Sequence, residues 1–225
     1  MTASEKPVIH AVLFDLDGVL IDSMPHHVRA WTEEFAAWGV DIDPLIFRLH
    51  EGEKAEATLE YAAKRYGLIL TPEQQADFVE SKRKRYRMTA PDHMVDGAVD
   101  LLKSLRNIGI KTAMVTGSIR KNLDHSVPEQ ERALFDAIIT SDLCTHGKPH
   151  PEPYLRASEA LKIPPEHCLV VENAPLGIQS AKAAGILTLA ITTTLPAEYL
   201  KDADAIIENL SDILHHGSFA LKSLL

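Results

Sequence analysis

The chain has 225 residues, 45% hydrophobic and 24% charged, and its 23 basic against 32 acidic side chains give a formal charge of −9. A chain of this length buries a core without a disulfide or metal staple. Its charge argues against non-specific binding to nucleic acid or to an anionic membrane. The two cysteines, Cys144 and Cys168, form no CxxC pair and read as small core thiols of a reducing compartment. The opening MTASEKPVIH lacks the basic-then-apolar order of a secretory signal. No apolar run nears the ~20 residues that span a bilayer, so a cytoplasmic protein, in the simplest case a monomer, is expected.

The first predicted element is a strand, VIHAVLF (8–14), which runs into Asp15 and Asp17. Asp22 follows and reads as a helix N-cap. From 22 to 91 there is no good strand. Helical periodicity covers HHVRAWTEEFAAWG (26–39), KAEATLEYAAKRYG (54–67) and PEQQADFVESKRKRYR (72–87). A strand-to-strand crossover needs only about a dozen residues, so this excursion predicts an inserted helical subdomain. The basic run KRKR (82–85) reads as a solvated face, and Trp31 and Trp38, seven apart, as core of the insertion.

Beyond it strands and helices alternate. DGAVDLLKSLRNIG (96–109), PEPYLRASEALKI (151–163) and PLGIQSAKAAG (175–185) carry helical spacing with proline and glycine punctuation. KTAMVT (111–116), DAIIT (136–140), CLVVE (168–172), ILTLAIT (186–192) and ADAII (203–207) read as strands. This order predicts an α/β fold: a Rossmann-like, doubly wound parallel sheet with an inserted all-helical cap. The catalytic core is expected from 1–21 and 92–225 and the cap from 22–91.

Ligands of open parallel sheets bind outside the carboxyl ends of the strands. Asp15 and Asp17, then Thr116, Gly117 and Ser118, then Glu172 and Asn173 all fall at such ends, and Lys148 in HGKPHPEP lies in a loop after another. Together they suit phosphoryl transfer. A Mg²⁺ bridging carboxylate and phosphate oxygens removes their repulsion. A carboxylate can then attack phosphorus, and a second acid can manage the protons. Asp15 and Asp17 fit these two roles.

DLDGVLIDS, VTGS, GKPHPEPY and VVENAPLGIQSAKAAG resemble, in order, the four motifs of the haloacid dehalogenase superfamily of phosphotransferases, from Val12 to about Thr194. The helical insertion looks like the mobile cap of the β-phosphoglucomutase subgroup. The resemblance implies that Asp15 is nucleophile and metal ligand, and that Asp17 is general acid/base with its backbone carbonyl on the metal. Thr116, Gly117 and Lys148 would hold the phosphoryl group. His27 stands where the subgroup places a histidine near the cap hinge, within reach of substrate or Asp17.

The fourth motif departs from the commonest Glu-Asp form: here Glu172 is followed by Asn173, whose amide oxygen can bind Mg²⁺ but brings no charge. Glu172 either ligates the metal or orients Lys148. Glu51, at the loop tip in RLHEGEKA, is the candidate that restores the charge. A branch of the family that includes inorganic pyrophosphatases is similar in pairing a cap HEG with ENAP. A cap carboxylate at the metal favours a small, metal-complexed substrate such as pyrophosphate. Lys54 is the only base between His50 and Ala63, which speaks against a mutase that must hold a second phosphate. A Mg²⁺-dependent phosphohydrolase is therefore expected. A β-phosphoglucomutase-type sugar-phosphate mutase and a silent phosphometabolite-binding module are the alternatives. His146 and His150 are separated by Pro149, and a paired metal site is not expected there.

Overall fold

The computed structural model describes residues 8–215 and 218–219. Six strands, β1 (Ala11–Phe14), β2 (Lys111–Val115), β3 (Ala137–Ile139), β4 (Cys168–Glu172), β5 (Leu187–Ile191) and β6 (Ala205–Ile207), form one sheet in the order β3-β2-β1-β4-β5-β6. Every pairing is parallel, with Val12 opposite Thr112 on one side and Leu169 on the other. The chain winds outward from β1 to β3 and then returns to β4 on the opposite side of β1. The sheet therefore has its topological switch between β1 and β4, the place where such sheets take ligands.

The apolar strands are continuous rather than alternating because both faces are covered. Val12, Phe14, Leu169 and Val171 belong to one buried cluster, and Ala11, Leu13, Cys168 and Val170 to the other. Each such buried Val, Leu or Phe contributes roughly 1.5–3 kcal/mol before entropy is counted. Helix α5 (Ala98–Asn107) supplies Leu101, Leu102 and Leu105 to the first cluster. Helix α8 (Glu152–Leu161) supplies Tyr154, Ala157 and Leu161 to the second. Short helices α6 (Arg120–Ser126) and α7 (Glu129–Arg132) precede β3, and α9 (Pro175–Ala183) follows β4.

Between β1 and α5 lie four helices with their own apolar cluster: α1 (Met24–Ala37), α2 (Leu45–Leu49), α3 (Ala55–Tyr66) and α4 (Pro72–Thr89). Its centre is aromatic. Phe35 meets Phe78 edge-on at 4.9 Å, and Trp31 stacks on Phe47 at 5.4 Å. Trp38 packs on the same cluster, so both tryptophans are core of the insertion. Helix α4 starts from a reciprocal cap in which Thr71 accepts from Gln74 N and the Gln74 side chain accepts from Thr71 N.

Two local expectations are corrected. The N-cap of α1 is the buried Ser23, and Asp22 is exposed outside the helix. The KRKR run is not a solvated face, because Lys82 continues the buried stripe of Phe78, Val79 and Tyr86. Arg83 and Arg85 are tied to Glu56 and Glu34, which leaves only Lys84 of the four exposed. Cys144 and Cys168 are buried free thiols. No helix among the described residues is long and apolar enough to cross a membrane.

Candidate active site

Strand β1 ends at Phe14, and the chain then turns so that Asp15 and Asp17 both enter the switch region, buried to 1% and 8% exposure. The turn needs a left-handed backbone at Gly18, at φ +83°, where a Cβ would also lie 2.2 Å from Asn173 Nδ2. Lys148, 2% exposed, donates to Asp15 Oδ1, to Glu172 Oε1 at 2.7 Å and to the carbonyl of Val115 at 3.4 Å. Burial alone would lower the Lys148 pKa, but Asp15 and Glu172 outweigh it and hold the amine well above its ordinary range. Lys148 is thus a fixed positive charge.

Both Glu172 oxygens are consumed by the protein. Oε1 accepts from Lys148 and from the Tyr154 hydroxyl at 2.8 Å, and Oε2 accepts from the backbone amides of Asn173 at 2.9 Å and Ala174 at 3.2 Å. Glu172, 1% exposed, holds Lys148 directly. Its room is bounded by α9, where a Cβ on Gly177 would fall 1.7 Å from Glu172 Oε1. Alanine for glycine inside a helix ordinarily stabilises by roughly 0.5–1 kcal/mol. Here Gly177→Ala is expected to do the reverse and lower the melting temperature, because it evicts the partner of a buried lysine, a change that costs on the order of 3–5 kcal/mol. Differential scanning calorimetry checks the sign.

Asp17 accepts from Ser23 Oγ at 2.6 Å, Thr116 Oγ1 at 3.2 Å and Ser118 Oγ at 3.4 Å, and its Oδ1 lies 3.1 Å from His27 Nε2. Burial pushes its pKa up, but the neighbouring His27 and these hydrogen bonds prevail and hold the carboxyl below the usual range. The other ring nitrogen of His27, Nδ1, is 2.8 Å from Lys82 Nζ, and the ring stacks on Tyr86 at 3.8 Å. A chain of contacts therefore runs from α4 through His27 to Asp17.

Lys82 itself is 4% exposed and lies 4.8 Å over the Trp31 ring. Burial pushes its pKa down to about 7, with Asp17 pulling it back up and Arg83 adding to the fall. The folded protein thus prefers the neutral amine, and between pH 7 and the ordinary lysine value of 10.5 the unfolded chain binds more protons. Stability rises with pH across that window, and the cost is fully present below it. Lys82→Met is expected to raise the melting temperature by a gain worth on the order of a few kcal/mol at pH 7. The gain should shrink toward pH 10.5, while turnover falls at every pH. Parallel melting curves and rates across that range check both arms.

Glu51, from the loop between α2 and α3, is 6% exposed, and both its oxygens accept from Asn173 Nδ2, at 3.1 and 3.0 Å. The same amide donates to the Asp17 carbonyl at 3.0 Å and to Thr194 Oγ1 at 2.7 Å. Burial, with Asp15, Glu172 and Asp17 nearby, pushes the Glu51 pKa well above its ordinary value. The loop is seated by direct backbone contact. A Cβ on Gly117 would lie 2.5 Å from the Gly52 carbonyl oxygen, so only glycine admits the approach. Lys54 adds a clamp, donating to the carbonyls of Cys144 at 2.5 Å and Thr145 at 3.1 Å.

Four carboxylates, Asp15, Asp17, Glu51 and Glu172, therefore gather here, and Lys148 touches two of them, Asp15 and Glu172. Among the described residues, two buried oxygens here have no hydrogen-bond partner, Asp15 Oδ2 and Asn173 Oδ1. Orphaned buried acceptors are rare. Asn173 Nδ2 now faces the Asp17 carbonyl and Glu51. With the amide turned over, its oxygen, Asp15, the Asp17 carbonyl and Glu51 would make an all-oxygen donor set of net negative charge, which suits a hard divalent cation such as Mg²⁺. Beside it lies a cavity of ≈ 70 Å³ lined by Asp17, His27, Glu51, Lys82, Arg83 and Asn122, among others.

The sequence profile of haloacid dehalogenase-like hydrolases matches residues 9–185. The chain belongs to that family. Among its curated relatives is validoxylamine A 7′-phosphate phosphatase of Streptomyces hygroscopicus subsp. limoneus, 34% identical over 207 residues, covering 89% of this chain and 94% of the relative. Another is PpaX of Caldanaerobacter subterraneus subsp. tengcongensis, provisionally named a pyrophosphatase, 31% identical over 213 residues and covering 92% and 93%. A solved structure from Bacteroides vulgatus, provisionally named a β-phosphoglucomutase, superposes with a TM-score of 0.81 at 32% identity over 92% of this chain and 87% of that one.

In this haloacid dehalogenase-like hydrolase, the residues expected from the four motifs meet at one place: Asp15, Asp17, Thr116, Gly117, Lys148 and Asn173, joined by His27 and Glu51 from the insertion side. Four participants were not singled out from sequence. Ser23 and Tyr154 carry no signal of their own, and Thr194 lies past the last motif. Lys82 had one: it stands four residues after Phe78 and four before Tyr86, on the stripe that faces inward.

Proposed function

We propose that this family member is a Mg²⁺-dependent phosphohydrolase that works through an aspartyl-phosphate on Asp15. We further propose that, with the 22–91 insertion closed as a cap, it takes a small, highly charged substrate of the pyrophosphate class. The observation that carries the substrate class is the burial of Glu51 against Asn173. A cap carboxylate beside the donor set would take the room that a bulky leaving group needs.

Asp15, Asn173, the Asp17 carbonyl and Glu51 would hold the cation, which neutralises the charge between carboxylate and phosphoryl oxygens. Lys148 and Thr116 with Gly117 hold the remaining phosphoryl oxygens. An Asp15 carboxylate oxygen attacks phosphorus as the bond to the leaving oxygen breaks. Water then attacks the same phosphorus, Asp17 takes its proton, and the Asp15 carboxylate is released. The depressed Asp17 pKa keeps it in the base form needed for that second step. A departing phosphate is a better leaving group than a sugar alkoxide and asks less of an acid in the first. His27 and Lys82 hold Asp17 in place. Arg83, lining the cavity, supplies positive charge for the departing group.

The PpaX relative supports this reading, and the validoxylamine phosphate phosphatase supports phosphate release in general. The likeness to the Bacteroides vulgatus structure favours a second reading, a sugar-phosphate mutase. A phosphate-release screen with Mg²⁺ over pyrophosphate, hexose phosphates and triose phosphates separates them. Pyrophosphate is expected to give the highest kcat/KM. Phosphate exchange between two carbons of a hexose, dependent on a sugar bisphosphate, would establish the mutase instead.

A further inference from the structure

Outside the catalytic centre, one side-chain cluster has the composition of a metal site. His146, His150 and Glu152 bring potential ligand atoms within 4.8 Å of one another, with both histidines exposed. Pro149 does not keep the rings apart, contrary to the expectation from sequence. His150 N donates back to the Gly147 carbonyl, and Ser180 Oγ fixes the His150 carbonyl at 2.7 Å. The two ring centroids then stand 4.5 Å apart.

We infer that this cluster binds a borderline transition-metal cation of the Zn²⁺ class, at a site separate from the Asp15 centre. The donors are two imidazoles and a carboxylate, a set that suits zinc rather than magnesium. Glu152 is already built as an anion. The backbone amides of Thr145 and His146 donate to its oxygens at 2.9 and 2.8 Å, Arg156 holds Oε1 at 2.7 Å, and these contacts lower its pKa to about 2.

The distances are close to what zinc needs. Tetrahedral coordination at about 2.0–2.1 Å sets neighbouring ligand atoms roughly 3.3 Å apart. His146 Nδ1 already stands 3.1 Å from Glu152 Oε2, where the ion would replace the imidazole proton. His150 Nδ1 holds only a 3.2 Å bond from Glu152 N, and its exposed ring is free to turn inward. Three protein ligands leave a fourth position to water. The site lies on the exposed side of the loop whose buried side presents Lys148, beside the Lys54 clamp of the insertion.

The test is calorimetric titration of the untagged protein with Zn²⁺ in excess Mg²⁺, so that the Asp15 centre is occupied, together with the Co²⁺ absorption spectrum. One equivalent is expected to bind, without a cobalt–thiolate charge-transfer band. Losing a partner behind a metal ligand costs roughly 10–100-fold in affinity, so losing a ligand in His146→Ala or His150→Ala should cost at least as much. Both histidines are exposed, and melting curves without zinc should match wild type. Absence of a stoichiometric event overturns the inference, as does equal affinity in both variants or a thiolate band from Cys144 or Cys168. Because the readout is binding, failure here leaves the proposed hydrolase untouched, and failure of the hydrolase reading leaves this site untouched.

Discussion

Asp15→Asn is expected to lower turnover by roughly 10⁴-fold or more, the scale at which a covalent nucleophile is lost, while the fold survives in metal-free buffer because Glu172 still pairs with Lys148. Burial pushes the Asp15 pKa up, Lys148 pulls against it, and Glu172 and Asp17 push it further; the net shift is upward. A carboxyl raised in the folded state favours folding below its unfolded pKa and loses that contribution as pH rises toward the folded value. The wild type thus carries a growing electrostatic cost above the ordinary aspartate value of 3.8. The neutral amide carries none, so its relative stability should increase with pH. Magnesium reverses the comparison. At a hundredfold excess over Kd, a ligand adds about 2.7 kcal/mol to the state that binds it. The wild type should gain on that scale and Asp15→Asn much less. Rates and melting curves, each with and without Mg²⁺, make four cells of one experiment. A variant that keeps turnover removes Asp15 as nucleophile, and one that unfolds leaves the question to the milder Asp15→Glu.

Glu51→Ala is the second large effect, and its signature is selectivity. Glu51 is buried among three other carboxylates, an arrangement that pushes its own pKa well up and that the proposed cation would relieve. Removing it takes one negative charge and one oxygen from the donor set. Pyrophosphate hydrolysis should drop by roughly 10²–10³-fold, comparable to deletion of a transition-state electrostatic partner. A generic aryl phosphate, which gains space as the carboxylate leaves, should lose far less. Half-saturation by Mg²⁺ should rise in parallel. Equal losses on both substrates would remove Glu51 from the reacting centre and return the substrate question to the hexose and triose phosphates.

The sheet was legible because its strands are short, continuous and apolar, and its helices carry proline and glycine at their ends. The predicted first strand was three residues long at its start, since Val8, Ile9 and His10 precede the paired segment Ala11–Phe14. Helix α2, five residues, and α6, seven, were too short for periodicity to register. At the site, the order of motifs pointed to Asp15, Asp17, Thr116 and Asn173 after β1, β2 and β4, and missed Thr194 after β5. What remained hidden depended on tertiary approach. Two of the four donors to Glu172, the amides of Asn173 and Ala174, are local, but the other two, Lys148 and Tyr154, arrive from the loop before α8 and from α8 itself. Neither of these two distant donors is encoded in the neighbourhood of Glu172. Lys82 was misread for a different reason: a run of basic residues dominates composition, while the position of one of them on an apolar stripe decides its burial.

Glu51 belongs to the helical insertion and Asn173 to the sheet, so any ion they share has its affinity divided between two bodies. Thermodynamic reciprocity then applies: whatever strengthens ion binding tightens the junction, and whatever wedges the junction apart loosens the ion by the same factor. The apparent ion affinity is the intrinsic one diluted by the fraction of molecules with the two bodies joined. Bulky phosphate esters and magnesium would accordingly act as mutual antagonists on this protein, and compact ones as mutual allies.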